Sequence, residues 1–128
     1  MTPAFLAYFR PWTELVQEAI GRGVEMRRAR VVSEPVTDYI RFEHDVSRLN
    51  QEAGEQLRWL PRRDAATLLL PGADLWIFDD RLIRFGHFAG DGSSVGQELC
   101  DDPAVIAKFS ASFEAVWERA VPHDKFTV

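Results

Sequence analysis

Residues 75–88, Leu-Trp-Ile-Phe-Asp-Asp-Arg-Leu-Ile-Arg-Phe-Gly-His-Phe, constrain the fold more than any other stretch of the chain. Apolar side chains occupy both parities of each half: Leu75 to Phe78 before the acidic pair, then Leu82, Ile83, Phe85 and Phe88 after it. Successive side chains of a strand alternate between faces, so strands of this kind are expected to be covered on both sides or to lie at a sheet centre. Asp79 and Asp80 fill the gap between the two runs. The spacing predicts a two-residue hairpin loop, from a strand ending at Phe78 to one beginning near Arg81. Asp tolerates the positive φ of a type I′ turn, though less readily than Asn-Gly.

The rest of the chain can supply a core for those strands. Of its 128 residues 46% are hydrophobic and 12% aromatic, with four Trp and nine Phe. A chain of that size buries about two thirds of the surface it exposes when unfolded. The formal charge of −5, from 20 acidic against 15 basic residues, argues against direct nucleic-acid binding. The one basic cluster, Arg22 with Arg27, Arg28 and Arg30, is too short to reverse that balance. Cys100 is the only cysteine, which excludes an intrachain disulfide and fits a reducing compartment. Arg10 and Pro11 interrupt the first apolar run, and no stretch approaches the roughly 20 apolar residues of a membrane span. The expectation is a cytoplasmic protein with no membrane association.

Apolar periodicity predicts a helix over residues 3–21, with a break or kink at Arg10-Pro11 and glycines Gly21 and Gly23 ending it. A strand over 24–33 follows, with Arg27, Arg28 and Arg30 partly outward. Next comes a helix over 37–53, capped by Thr37 and presenting Phe42, Tyr39, Val46, Leu49 and Ala53 to the core. Residues 55–61 read as a short strand, and 62–72 as a single helical turn or a loop. After the hairpin a further strand leads into a terminal helix, with Asp102 as N-cap, Pro103 at its first position and Pro122 as its stop. The order α-β-α-β-β-β-β-α predicts an α/β (α+β) domain over residues 1–122, a single mixed, largely antiparallel sheet covered by helices. Residues 123–128, with His123, read as a flexible C-terminal tail. Phe42, Leu49, Trp76, Phe78, Phe109, Phe113 and Trp117 are the expected core.

Few residues invite a chemical reading. His44 lies between Glu43 and Asp45, but on a helix the three diverge by about 100° steps and cannot converge on one ion, so no metal site is expected. His87 fits a hydrogen-bonded residue at a sheet edge, or a ligand contact. Cys100 precedes Asp101 and Asp102, whose charge disfavours a thiolate nucleophile. Gly90 to Gly96 lacks the lysine and the strand-loop-helix context of a phosphate loop, which leaves a hairpin loop. One constellation is better placed: Ser33, Glu34, Thr37, Asp38 and Arg41 surround the end of a strand and the start of a helix. With Arg58, Trp59 and Arg62 it could form a recognition patch for a small molecule or a partner peptide. Helix capping by Thr37 or Asp38, with surface ion pairs, is the simpler account of its local part.

Ile77 to Phe88 resembles the second half of the phospholipase D superfamily motif. There a strand carrying His-x-Lys leads, with four residues between the Lys and it, to an Asp at a hairpin. With Asp80 as that Asp, the His and Lys positions hold Ala73 and Leu75; with Asp79 they hold Gly72 and Asp74. Neither register supplies the nucleophilic His or the phosphate-holding Lys, so the resemblance implies a half-domain topology of that kind without its catalysis. Over nearly its whole length the sequence resembles a narrower family. The residues that carry this are Arg10 to Val16, Ala29 to His44, Ala53 to Arg62, Leu75 to Ile83 and Asp101 to Phe109. It is an actinomycete domain of unknown function whose members are often encoded beside helix-turn-helix regulators of the WhiJ type.

The resemblance implies a non-enzymatic accessory or regulatory protein, without cofactor, acting on a protein partner such as a helix-turn-helix regulator. Homo-oligomerisation stays open. The alternative is a catalytically degenerate phospholipase D-like domain that senses a small ligand, phosphate-bearing or other.

Overall fold

A computed structural model describes residues 1–128, which form two compact units. Unit 1 comprises Met1–Ala66 with Arg119–Val128, and unit 2 comprises Thr67–Glu118. The fold is mixed α and β. In place of the single sheet expected there are two three-stranded sheets. Pro61 ends a strand, a 3-10 turn over Arg62–Ala65 follows, and no ladder joins the strands before this stretch to the hairpins after it.

Unit 1 opens with helix α1 (Pro3–Gly21), whose Thr2 hydroxyl accepts the Phe5 N–H at 3.1 Å. The helix runs unbroken through Pro11, where a break is expected from sequence. Phe9, Trp12, Val16, Ala19 and Ile20 turn inward at helical spacing. The helix ends in a Schellman motif: the Gly23 N–H reaches the Ile20 carbonyl, the Val24 N–H the Ala19 carbonyl, and Gly23 takes φ +89°. Strand β1 (Arg27–Val32), helix α2 (Asp38–Glu52) and strand β2 (Gln56–Pro61) form a β-α-β unit with the two strands parallel. Thr37 caps α2 as its sequence implies, its hydroxyl accepting the Ile40 N–H at 3.2 Å. Gly54, at φ +111°, ends α2 beneath Ile20, where any Cβ would lie 2.9 Å from Cγ1 of that side chain.

The face that α2 buries matches the expected one only in part. Val46 and Ala53 are buried as expected, but Phe42 is 47% and Tyr39 66% exposed, and Ser47 and Asn50 are buried in their place. The helix has two neighbours. Phe42 meets Phe5 of α1 edge-on at 5.7 Å, while His44, on the opposite side, turns to the sheet, with Nε2 2.9 Å from the Phe126 carbonyl oxygen.

The chain end is a second correction. Residues 123–128 are not a loose tail. A short strand β6 (Val121–Pro122) pairs antiparallel with β2, its proline on the edge strand where a missing donor is tolerated. His123 and Phe126 then bury themselves against Trp59, whose indole stacks on the Phe126 ring at 5.6 Å. Trp59, Val32 and Phe126 form the centre of the unit 1 core.

Unit 2 is a meander of β3 (Asp74–Phe78), β4 (Leu82–Phe88) and β5 (Ser94–Cys100) with helix α3 (Pro103–Arg119), whose last residue passes into unit 1. Asp102 caps α3, accepting the Ala104 N–H at 2.9 Å. The β3–β4 turn has the backbone signature expected of it: Asp79 and Asp80 take φ +52° and +53°, and the Arg81 N–H closes on the Phe78 carbonyl at 2.9 Å. The loop is one residue longer than expected, since Phe78 pairs with Leu82 and leaves Arg81 in it.

Candidate functional site

The patch expected from sequence assembles only in part. Glu34, Thr37, Asp38 and Arg41 are exposed around the start of α2, with Thr37 engaged in capping. Arg62 is exposed and reaches back to this region, donating from Nε to the Ser33 hydroxyl at 3.2 Å and from Nη2 to the Val31 carbonyl at 3.4 Å. Arg58 is half-buried within β2. Trp59 cannot serve recognition. It is 0% exposed, because β2 is the central strand and pairs it with Arg30 on one side and Val121 on the other.

Unit 1 instead gathers charged groups between β1 and α2. Arg28 and Arg30, expected partly outward, turn inward on the same strand face as Val32. Arg28 Nε lies 2.7 Å from Glu55 Oε1 and Arg30 Nη2 3.1 Å from Glu43 Oε2, with the Arg30 guanidinium 5.5 Å from the Trp59 ring centre. Glu55 is 3% exposed and also accepts from Asn50 Nδ2 at 3.0 Å, so one oxygen faces a cation and the other a neutral donor. Glu43 in turn holds the Tyr39 phenol above its ordinary range, through a hydrogen bond and through its negative charge. Phe5, Tyr8, Phe9 and Trp12 of α1 and Phe42 of α2 wall an open groove of about 320 Å³ over these pairs. Arg30 Nε and Asn50 Oδ1 are buried without a partner beside it. Sequence reasoning missed Glu55; its one signal is a carboxylate directly after the helix-ending Gly54, at the mouth of an apolar strand.

Unit 2 presents a surface of a different kind. Its pairing register places Leu75, Ile77, Ile83, Phe85, His87, Glu98 and Cys100 on one sheet face, and Asp74, Trp76, Phe78, Leu82, Arg84, Gly86, Gln97 and Leu99 on the other. The first face is covered by α3. Ile83 is 0% exposed, and Phe85 meets Phe109 edge-on at 5.5 Å. His87 is hydrogen-bonded as expected, with Nε2 3.1 Å from Glu98 Oε1, but near the end of the central strand and not on an edge strand. The second face stays open: Trp76 is 41%, Phe78 45%, Phe88 55% and Leu99 67% exposed. The Trp76 and Phe78 rings stack 6.5 Å apart on it, and Arg84 Nε donates to Gln97 Oε1 at 2.8 Å. Of the two expectations for these strands, β4 does lie at the sheet centre, whereas cover is found on one face only.

Neither the curated proteins nor the solved structures contain a significant match to the chain. A family model does match it, over residues 2–128. The chain belongs to the family described as Domain of unknown function (DUF6879).

Proposed function

We propose that the protein is a non-enzymatic accessory or regulatory protein that works by binding another protein, with a helix-turn-helix regulator as the partner class. The observation that carries this reading is the open face of the β3–β4–β5 meander. These strands spend apolar side chains on both faces, yet α3 covers one, leaving Trp76, Phe78, Phe88 and Leu99 between 41% and 67% exposed. Contiguous apolar patches are uncommon on monomeric proteins, and exposed aromatic anchors are what interface centres are made of. Titration calorimetry with a helix-turn-helix regulator encoded beside the gene tests the reading. The double variant Trp76→Ser with Leu99→Ser should weaken binding at least about tenfold, one or two anchor contacts' worth. Its melting temperature is read alongside, because Leu99 is 67% exposed whereas Trp76, 41% exposed and stacked on Phe78, gives up packing when truncated. Undiminished binding by a folded double variant overturns the reading.

The groove of unit 1 favours a second reading, a ligand-sensing domain descended from a phospholipase D-like fold. Its aromatic wall suits a flat apolar ligand better than a phosphate, since Arg28 and Arg30 already hold carboxylates. A thermal shift with adenine or with inorganic phosphate, suppressed by Trp12→Ala, would support it; no shift with either would remove it.

A further inference from the structure

Charge is divided unevenly along the chain. Unit 2 holds nine Asp and Glu against three Arg and Lys, a formal charge of −6, while the remainder holds 11 against 12, a charge of +1. The strand register places the six Asp among them near the two ends of the sheet, while Glu98 lies on the covered face and Glu114 and Glu118 on α3. At the hairpin end, Phe78 pairs with Leu82 and Ile83 with Cys100, so Asp79, Asp80, Asp101 and Asp102 all follow from strand ends that lie side by side. Asp80 and Asp102 turn to α3, accepting from the Ser110 hydroxyl and the Ala104 N–H, which leaves Asp79 and Asp101 for this edge of the face. At the other end lie Asp74, paired with Gly86, and Asp91 in the β4–β5 loop. Hydrogen bonds from the Ser93 hydroxyl and N–H hold the Asp91 carboxyl below its ordinary range and keep it ionised. Between the two ends the face is apolar, with a single cation, Arg84, tethered to Gln97.

We propose that this face docks a basic amphipathic segment of a partner protein, its apolar stripe on Trp76, Phe78 and Leu99 and its Lys or Arg residues at the two acidic ends. The proposal rests on the interaction reading above and names the chemistry of its partner. Charge complementarity decides the occupant. A second copy of the chain would bring together two units that each carry a charge of −6, which self-repulsion opposes. A basic segment gains at both ends and is steered toward the site over a Debye length. The seven residues of β4 span about 23 Å at roughly 3.3 Å each, the length of about 15 helical residues. Basic segments of this kind also bind phosphate backbones, so docking here would compete with nucleic acid for the same partner segment.

Three synthetic 15-residue peptides test the proposal on the full chain by amide chemical-shift mapping. One is a Leu-striped helix with Lys at both ends, the second carries Glu in place of Lys, and the third is a scramble of the first. The Lys peptide alone should perturb amides of β3, β4 and β5. Its binding should weaken at least about tenfold between 50 and 300 mM salt, as several screened charge contacts require. Asp79→Asn with Asp101→Asn should weaken it, and Trp76→Ser with Leu99→Ser should abolish it. Lys and Glu peptides binding alike, or a scramble binding as well as the helix, overturns the basic amphipathic assignment while leaving the docking reading intact. If no peptide perturbs the meander and the regulator binds the Trp76→Ser, Leu99→Ser variant undiminished, both fall.

Discussion

The Trp59 indole N–H donates to Nδ1 of His123 at 3.0 Å, between residues that are 0% and 8% exposed. This bond requires an unprotonated Nδ1, so it exists only while His123 is neutral. Burial, and then the adjacent His44 whose ring centre is 4.4 Å away, lower the His123 pKa below its ordinary value of 6.5; Asp124 opposes them. The folded chain therefore resists a proton that the unfolded chain accepts. The stability contributed by neutral His123 is fully present above about pH 6.5 and is lost as pH falls below it. Melting temperatures between pH 8 and pH 5 should drop on the acid side of that value. His123→Asn offers the indole an acceptor that cannot be protonated, and its drop should be shallower. Parallel curves for the two proteins would show that another group senses the proton.

Phe126 is 8% exposed, stacks on Trp59, and offers its carbonyl oxygen to His44. Phe126→Ala should therefore cost about 3–5 kcal/mol, as for other aromatic truncations in a core. Urea unfolding measures this directly. A loss under about 0.5 kcal/mol, the level of an ordinary surface substitution, would mean that the chain end contributes nothing to the core.

Those two residues also mark where sequence reading stops. The order of helices and strands was legible because its signals are local: the α1 periodicity, the Thr37 and Asp102 caps, the turn at Asp79-Asp80. The buried face of α2 was legible only in part. Phe42 is its largest apolar side chain and set the expected inward direction, but α1 takes Phe42 and the sheet takes the side bearing His44 and Ser47. A small polar face can be buried there because Arg30, Glu43, Asn50 and Glu55 are paired across it. Such pairing is non-local and leaves no periodicity. The same holds for the expected recognition patch: Thr37 capping is read from neighbours in sequence, whereas the burial of Trp59 depends on β6, more than 60 residues away.

Glu55→Gln removes the charge that Arg28 and Asn50 both face, in a side chain that is 2% exposed. Breaking a buried pair from one side leaves the other charge undercompensated, at a cost of about 3 kcal/mol. Adding Arg28→Leu should recover part of that loss, since the orphaned cation is then gone. Denaturant midpoints of the two single variants and the double variant measure the coupling; strictly additive losses would show that the two residues do not act as a pair.

Asp79 and Asp80 share a backbone conformation but not a role. Both sit at positive φ, where Gly relieves strain, yet only Asp80 accepts a hydrogen bond from α3, from the Ser110 hydroxyl at 2.8 Å. Asp79→Gly should therefore hold or raise stability, by up to about 1 kcal/mol. Asp80→Ala keeps a Cβ at positive φ and deletes the acceptor, and should cost about 1 kcal/mol. Asp80→Asn tolerates the same φ and keeps an oxygen for Ser110, so it should fall close to wild type. The three melting temperatures separate the two contributions. If Asp80→Ala and Asp80→Asn melted together, the bond to Ser110 would carry no weight, and the pair would act only as a turn.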